Sequence, residues 1–353
     1  MSVRAWIPDR RGSLPPGRGV VRRVVGGATV APMTTSGPVA VAAAPHPVTQ
    51  VLRERARTGS QPGAREDGHR VALVLEGGGM RGVVSAGMTA ALERLHLAPA
   101  FDLVAGASAG AINGAALLAG AAGRAVETYT GPLASRAFIN PFRLLRGKPV
   151  LDVNDILKLA TGLRSTGHHR VTSGEVGLHA VAVDVESAET VVLSGMRTEA
   201  ELWDALRASS RMPWAGGPPV EVGGRRYLDG SMGSPVPVAE ALRAGATHVL
   251  VLQTRPYGVA RTSSSRLGDR LIERHLRGLN PALVALYRAR LDAYEAVVAH
   301  IARRSGDPGD APPYVLGLRP PAGTPCVGQL ERDSATLARA AADADRLVEA
   351  ALS

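Results

Sequence analysis

The chain has 353 residues and a formal net charge of +10, with 45% hydrophobic but only 3% aromatic residues. Its length allows a sizeable core, and no apolar run approaches the roughly 18–20 residues of a membrane-spanning helix. A nucleic-acid-binding protein is disfavoured, because ten arginines and four acids give residues 1–69 +6 of the charge without the pattern of an RNA- or DNA-binding module.

Residues 1–69 are rich in Pro, Gly, Arg and Ala and show no sustained period of 2 or 3.6. That composition predicts a disordered leader. We expect the folded domain to run from residue 70 to residue 353, with a core over 70–255 and a helical part over 256–353. The single cysteine, Cys326, excludes an internal disulfide and fits a reducing, cytoplasmic location.

The folded part opens with alternating strands and helices. The apolar runs at 71–76 and 101–106 predict buried strands, and the stretches at 81–95 and 109–122 have apolar residues at helical spacing. Short links between a strand, a helix and the next strand imply a parallel sheet with right-handed crossovers.

Further elements continue this alternation. We expect residues 123–176, helical and irregular, to cover the site and set its specificity. The remaining predictions are strands at 177–185, 190–195, 248–254 and 313–318, a hairpin at 219–230, and helices at 199–210, 281–304 and 330–352. The whole indicates one α/β domain.

The glycine-rich segment GGGMRG, residues 77–82, lies between the first strand and the first helix. Gly77, Gly79 and Gly82 satisfy the G-x-G-x-x-G pattern of dinucleotide-binding loops. Unsubstituted backbone at a helix N-terminus offers N–H groups to an anion. That anion is either a pyrophosphate or the developing oxyanion of an acyl-transfer reaction.

The segment GASAG, residues 106–110, has the pattern G-x-S-x-G and lies between the second strand and the second helix. This setting is the one required by a nucleophile elbow, in which a serine sits on a sharp turn with its hydroxyl exposed. Small residues that merely pack a helix against a sheet are the structural alternative. The setting favours Ser108 as a nucleophile.

The base is not expected to be a histidine, because none of the nine histidines lies in a recognisable motif. The segment YLDGS, residues 227–231, instead places Asp229 at the end of a strand and before a tight turn. Asp229 is suited to accept the serine proton if partial burial raises its pKa. The structural alternative is an aspartate that only stabilises the turn.

These three motifs, in this order, resemble the patatin-like phospholipases over residues 70–255, and SSRMPWAGGPPVEVGGRRYLDGSMGSPVPV (209–238) resembles their bacterial branch. The resemblance implies a three-layer α/β/α fold with a central, mostly parallel sheet and a Ser108–Asp229 dyad without histidine. Ser231 departs from the glycine or alanine that often follows Asp-Gly in the family. The matching oxyanion loop comprises Gly77, Gly78, Gly79, Arg81 and Gly82.

The implied activity is hydrolysis of carboxylic esters of phospholipids, lysophospholipids or related lipids through an acyl-enzyme. No cofactor or metal is expected, since the sequence has no calcium loop and no clustered Cys/His ligands. A lipid ester is the expected partner, with transient contact at the inner membrane face. For Arg81 two roles stay open, binding of an anionic head group and anchoring of the loop by a salt bridge.

Two other functions remain as alternatives. A Rossmann-like nucleotide-binding protein would use GGGMRG for phosphate and needs a ribose-binding acid near the end of the second strand. Asp102 lies at the start of that strand, which counts against it. A catalytically silent lipid-binding module is disfavoured by the presence of both Ser108 and Asp229.

Overall fold

The computed structural model describes residues 45–135, 167–213, 217–261 and 266–352. Within these ranges the strands β1 to β8 are Val71–Leu75, Leu103–Ala107, Gly177–Asp184, Thr190–Leu193, Val220–Val222, Arg225–Asp229, His248–Leu252 and Tyr314–Leu318. The helices α1 to α10 are Pro47–Thr58, Gly82–Arg94, Ala109–Leu118, Ala122–Thr130, His168–Thr172, Glu199–Ser209, Val238–Arg243, Arg266–Leu279, Ala282–Gly306 and Ser334–Leu352. Every strand predicted from the sequence has a counterpart here.

The strands form one sheet along the hydrogen-bonded path β5-β6-β3-β2-β1-β7-β8, and β4 pairs with the edge of β3 that β2 and β6 leave open. Neighbours from β3 to β8 are parallel, whereas β4 and β6 run antiparallel to β3, and β5 antiparallel to β6. Strands β1, β2 and β7 are buried at every position, which explains their apolar sequences, apart from His248 at the start of β7. The mostly parallel sheet is confirmed.

Helices cover both faces of the sheet. Successive residues of a strand point to opposite faces, so alternate residues of β1 pack against different helices. Val71 and Leu73 of β1 join a cluster with α2, α3 and α10. Ala72 and Val74 join a second cluster with α7 and α9. A Cβ on Gly87 of α2 would lie 2.2 Å from a backbone oxygen of α10, so that glycine lets these two helices approach closely. The predicted three-layer arrangement is confirmed.

Helix α1 differs from the predicted leader. It lies within residues 1–69, yet it buries Val48, Leu52 and Arg55 completely or nearly so. The guanidinium of Arg55 donates to Asp67 at 2.7 Å and to Asp102 at 2.8 Å. The buried side chains of Val48 and Leu52 and the hydrogen-bonded guanidinium of Arg55 hold the helix in place. These contacts do not produce a hydrophobic period in the sequence. Residues 1–44 lie outside the described ranges.

Helix α8, Arg266–Leu279, lies in the part expected to be helical, 256–353, but the sequence analysis delimits no helix there, because four arginines and two acids obscure a narrow apolar stripe. Only Leu276 is fully buried.

Most of the segment predicted to cover the site, 123–176, cannot be compared with the structure, since residues 136–166 lie outside the described ranges. Across the described ranges, no helix combines the length and the hydropathy that crossing a bilayer requires.

Candidate active site

Ser108 occupies the turn between β2 and α3 with φ 55° and ψ −124°. A positive φ is unusual for a residue with a side chain and marks local strain of the kind found at functional sites. The two flanking glycines of G-x-S-x-G are required by packing. A Cβ on Gly106 would lie 2.5 Å from Ala111 N, and one on Gly110 would lie 2.4 Å from Leu75 O.

Strand β3 brings Asp229 to this turn. On one edge, β3 pairs with β4 from Ala180 to Val183, so the other edge is left for β2 and β6. Strand β2 pairs along that edge up to Val181, and β6 pairs along it from Ala182 onward in the opposite direction. The two strands therefore meet head-on, and the residue after β2 faces the last residue of β6, Asp229.

The hydroxyl of Ser108 donates a hydrogen bond to Asp229 Oδ2 at 2.8 Å. Asp229 is 2% exposed and Ser108 7%. Burial raises the pKa of Asp229, and hydrogen bonds from Ser231 and Ser108 oppose this shift only in part. Neither dyad side chain has a histidine partner in the part of the chain that the structure describes. The carboxylate of Asp229 therefore accepts the hydroxyl proton of Ser108 in a direct hydrogen bond.

The glycine loop lies against both other motifs. A Cβ on Gly77 would be 2.7 Å from Ala107 O and 3.2 Å from Ser231 Cβ. The N–H of Gly77 donates to Pro235 O at 3.0 Å. The N–H groups of Gly78 and Gly79 have no acceptor among the described residues. Of the glycines predicted to bind an oxyanion, these two offer donors, whereas Gly77 has a structural bond.

The comparison with protein families finds a match, because residues 73–242 fit the model described as patatin-like phospholipase. Residues 73–242 belong to the patatin-like phospholipase family. The three motifs of the patatin-like domain all lie within the matched range, whose sheet and helices have the predicted fold.

Two individual proteins are similar to parts of the chain. It is 32% identical over 191 residues to "Uncharacterized protein YjjU" of Escherichia coli (strain K12), covering 53% of this chain and 52% of that protein. The chain therefore spans about half the length of this relative. VipD from Legionella pneumophila matches over 81% of this chain and 67% of its own at 12% identity, with a TM-score of 0.33, which supports no argument about fold or function.

Arg81 of the patatin-like domain is 4% exposed, and its Nε donates to Thr254 Oγ1 at 3.2 Å. It has no carboxylate partner among the described residues, so the expected loop-anchoring salt bridge is not found there. Burial lowers the pKa of its guanidinium, an effect that the carboxylate of Glu76 opposes. Gly82 packs closely against Ala109, where a Cβ would lie 2.7 Å from that residue's Cβ.

Asp102, the acid considered for a nucleotide site, forms ion pairs with two arginines. Asp102 lies at the amino end of β2 and pairs with Arg55 and Arg65, both at 2.8 Å. The carboxyl end of the strand carries Ser108 instead. In the described ranges, no group of three or more His, Cys, Asp or Glu side chains is arranged to hold a metal ion.

Ser209 lies outside the three motifs but contacts the candidate site. Its buried hydroxyl accepts a hydrogen bond from Ser108 N at 3.0 Å and donates to Val181 O at 2.6 Å. It thereby ties the nucleophile turn to the point on β3 where β2 and β6 meet. The sequence around Ser209 gives no signal for this contact, because the contact joins residues 101 positions apart.

Proposed function

We propose that the chain is a serine lipid acyl hydrolase that cleaves carboxylic esters through Ser108 and Asp229. The observation that carries this proposal is the 2.8 Å hydrogen bond from Ser108 Oγ to a buried carboxylate. It occurs on a strained turn at the amino end of α3, whose dipole favours negative charge. A nucleophile held against its base is the arrangement that acyl transfer needs.

In the first half-reaction Ser108 Oγ attacks the ester carbonyl carbon while Asp229 Oδ2 accepts the hydroxyl proton. The tetrahedral oxyanion receives hydrogen bonds from the N–H groups of Gly78 and Gly79. Loss of one such donor typically costs about 10²–10³ in rate. The carbon–oxygen bond to the alcohol then breaks, and Asp229 gives its proton to the leaving oxygen. The product is an acyl-enzyme on Ser108.

In the second half-reaction Asp229 accepts a proton from water, which attacks the acyl carbonyl. The same glycine N–H groups hold the second oxyanion. When it collapses, the proton returns from Asp229 to Ser108 Oγ and the fatty acid leaves. An ordinary aspartate is a weak base near neutral pH. The burial that raises the pKa of Asp229 therefore serves both proton transfers.

A lipid ester is the proposed substrate, consistent with the patatin-like domain. The cytoplasmic location expected from the single cysteine stays a prediction. Contact with a lipid surface is proposed through the outer face of α8, where Leu267 is 67% exposed and Leu271 41%. Its acids point elsewhere, since Asp269 binds Arg290 and Glu273 binds Arg288 of α9. The exposed arginines of α8 are Arg266, Arg270, Arg274 and Arg277.

Basic residues interleaved with exposed leucines suit an anionic bilayer surface. The test is co-sedimentation with phosphatidylglycerol-containing vesicles. We expect the double variant Leu267→Ser, Leu271→Ser to bind several-fold more weakly. Leu330→Ser is the matched control, because Leu330 is 49% exposed but lies outside α8. Equal losses in both variants would contradict a specific role for α8.

The hydrolase proposal is tested with a fluorophosphonate probe and p-nitrophenyl esters of several chain lengths. We expect the wild type to label and to turn over esters, and Ser108→Ala to do neither while staying folded. Ser210→Ala is the control, since Ser210 is another buried serine beside the site. A wild type that neither labels nor hydrolyses would sink the proposal, and nucleotide or lipid binding would then be measured instead.

A further inference from the structure

Three arginines surround Glu76 and Tyr294, next to the glycine loop. Arg81 is 4% exposed and Arg255 8%, and Arg261 is partly buried. In the part of the chain that the structure describes, none of the three guanidinium groups forms an ion pair. We name this set of three residues the arginine cluster.

Glu76 is the one buried acid among them, and its carboxylate oxygens are already engaged. Thr254 N donates to Glu76 Oε2 at 2.6 Å, and the Tyr294 hydroxyl donates to Oε1 at 3.1 Å. Glu295 accepts a 3.4 Å hydrogen bond from the backbone N–H of Arg261 and forms no ion pair with its guanidinium. Three positive charges therefore lie around the buried carboxylate of Glu76, and the charge of Arg261 also acts on Asp229.

Buried charges are ordinarily paired and hydrogen-bonded, because leaving them unpaired is costly. Here Arg255 Nε and Arg261 Nη1 are enclosed and have no hydrogen-bond partner. The other contacts are long, from Arg255 Nη1 to Ala260 O and from Arg261 Nη2 to Ser231 O, both at 3.4 Å. Burial lowers the pKa of Arg261, the charge of Arg255 lowers it further, and the carboxylate of Glu76 opposes this shift.

Helix α9 carries Tyr294 and also a similar site at Tyr287, where the neighbouring arginine does form an ion pair. Arg290 lies over the ring of Tyr287 at 3.6 Å and pairs with Asp269 at 2.9 Å. The Tyr287 hydroxyl donates to the same carboxylate at 2.7 Å. Two turns further along α9, Tyr294 likewise binds an acid, and Arg255 and Arg261 lie 5.7 and 5.5 Å from its ring centre. Among the described residues, Arg290 forms an ion pair with the acid at Tyr287, whereas the arginines near Tyr294 form none.

The arginine cluster adjoins the proposed catalytic residues. Arg261 contacts the backbone oxygen of Ser231, two residues after Asp229. A Cβ on Gly78 would lie 3.1 Å from Arg81 Nη2, so this guanidinium packs against the loop that offers the oxyanion donors. An anion held by the arginine cluster would therefore lie beside the ester-cleaving site.

We propose that Arg255 and Arg261, together with Arg81, bind a phosphate group. The excess of positive charge around Glu76 suits a phosphate group, and a phosphate monoester carries about −1.5 to −2 at neutral pH. Planar guanidinium groups also suit bidentate hydrogen bonds to phosphate. The group comes either from the head group of a lipid substrate or from free phosphate. The head-group source rests on the proposed hydrolase function, whereas the free-phosphate source does not.

The first arm of the test measures thermal unfolding with inorganic phosphate against chloride at equal ionic strength. We compare the wild type with Arg255→Gln, Arg261→Gln and the matched control Arg290→Gln. At about 100 times the Kd, phosphate should raise the Tm of the wild type by about 5 °C. The control should keep this shift even if its baseline Tm falls, and the two variants of the arginine cluster should lose most of it.

The second arm compares a lysophospholipid whose head group is a bare phosphate monoester with the monoacylglycerol of the same acyl chain. We expect the ratio of their kcat/KM values to fall about 10- to 100-fold in Arg255→Gln and Arg261→Gln, mainly through KM. Arg255→Lys, which keeps the charge but loses the fork, should fall in between. Arg290→Gln should keep the wild-type ratio.

A Tm shift with a substrate preference assigns the phosphate to the lipid head group. A Tm shift with no preference supports the same site with free phosphate as its ligand. No shift together with an unchanged ratio overturns the proposal, as does a loss of the shift in Arg290→Gln as large as in the cluster variants. If the wild type cleaves no ester, the hydrolase proposal fails, but the first arm still decides whether phosphate binds.

Discussion

The two ends of β2 are each next to an aspartate, and the protein shifts their pKa values in opposite directions. At the amino end, burial alone would raise the pKa of Asp102, but hydrogen bonds from Val71 N, Arg65 and Arg55 outweigh it and lower the pKa. At the carboxyl end, burial dominates and raises the pKa of Asp229. The residue type is the same, but Asp102 accepts hydrogen bonds from a backbone N–H and two arginines, whereas the hydrogen bonds to Asp229 come from serines and do not offset its burial.

This difference separates a structural acid from a chemical one. Asp102 accepts hydrogen bonds from two arginines and a backbone N–H, and these bonds favour its ionised form. Asp229 accepts from Ser231 N and from the Ser108 hydroxyl, both at 2.8 Å. A carboxylate with an uncharged partner and no ion pair among the described residues is suited to proton transfer.

The largest effect is expected from Asp229→Asn. Asparagine can keep the hydrogen bond from Ser231 N and offer an amide N–H to Ser108, so the fold should persist while the base is lost. We expect kcat for a p-nitrophenyl ester to fall by on the order of 10⁴ or more, with a Tm equal to or above that of the wild type. A variant that retains a tenth of wild-type turnover would show that Asp229 is not the base.

The mirror-image variant, Asp102→Asn, should lose stability and keep activity. It leaves Arg55 with only one carboxylate, Asp67. Removing one partner of a buried pair costs about 3–5 kcal/mol, and we expect about 2–3 kcal/mol here because Arg55 keeps a second acid. Urea unfolding gives the stability, and turnover per folded molecule gives the activity. A large loss of kcat at full stability would erase the contrast between the two ends.

Glu54→Gln is the control for that experiment. Glu54 pairs with Arg57 on the exposed side of α1, where both side chains are more than half exposed. Exposed pairs of this kind contribute little to stability. We therefore expect no measurable change in the urea midpoint, in contrast to Asp102→Asn.

The fold was predictable where it rests on local pattern. The buried parallel strands appear as unbroken apolar runs, and the turn at Ser108 as small residues between a strand and a helix. Asp229 was predicted as the base from its place at a strand end and the family resemblance. Its contact with Ser108 joins residues 121 positions apart, and it follows from the edge of β3 that β2 and β6 share.

The remaining features depend on distant partners and leave no local period. Helix α1 is held by an arginine whose acids lie 12 and 47 positions away. Arg255 and Arg261 are ordinary loop residues in the sequence, and only the fold brings them to Glu76. Ser209 matters because its hydroxyl reaches the backbone of Ser108. Hydrophobic patterning reports which residues are buried, not which polar groups meet.

Ser209→Ala tests how far the activity of the site at the carboxyl end of β2 depends on the hydrogen bonds that support the turn at Ser108. The variant leaves Ser108 N and Val181 O without their shared partner and frees the strained turn. Because Ser209 touches neither proton in the reaction, we expect a 10- to 100-fold loss in kcat and little change in the acid limb of the pH–rate profile. Thr is the conservative replacement, and Ser209→Thr should recover part of the rate. A shifted acid limb would instead place Ser209 in the proton path.

The smallest effect is expected at the amino end, from Asp67→Asn in acid. The pKa of Asp67 is lowered to about 2, chiefly by the hydrogen bond from Arg55. A lowered folded-state pKa gives stability that is present above the unfolded value of about 3.9 and is lost as the pH falls towards 2. The wild type should therefore exceed Asp67→Asn by about 1 kcal/mol above pH 5, and most of this gap should close by pH 2.

Other titrating groups are common to both proteins and largely cancel in this difference, which isolates Asp67. Urea unfolding between pH 2 and pH 6 measures it. A gap independent of pH would mean that Asp67 contributes through packing and not through its charge. Asp229 has the opposite sign, because a raised folded-state pKa destabilises the fold as the pH rises through it. The carboxylates at the amino end thus favour the folded state when ionised, whereas ionisation of Asp229 works against the fold.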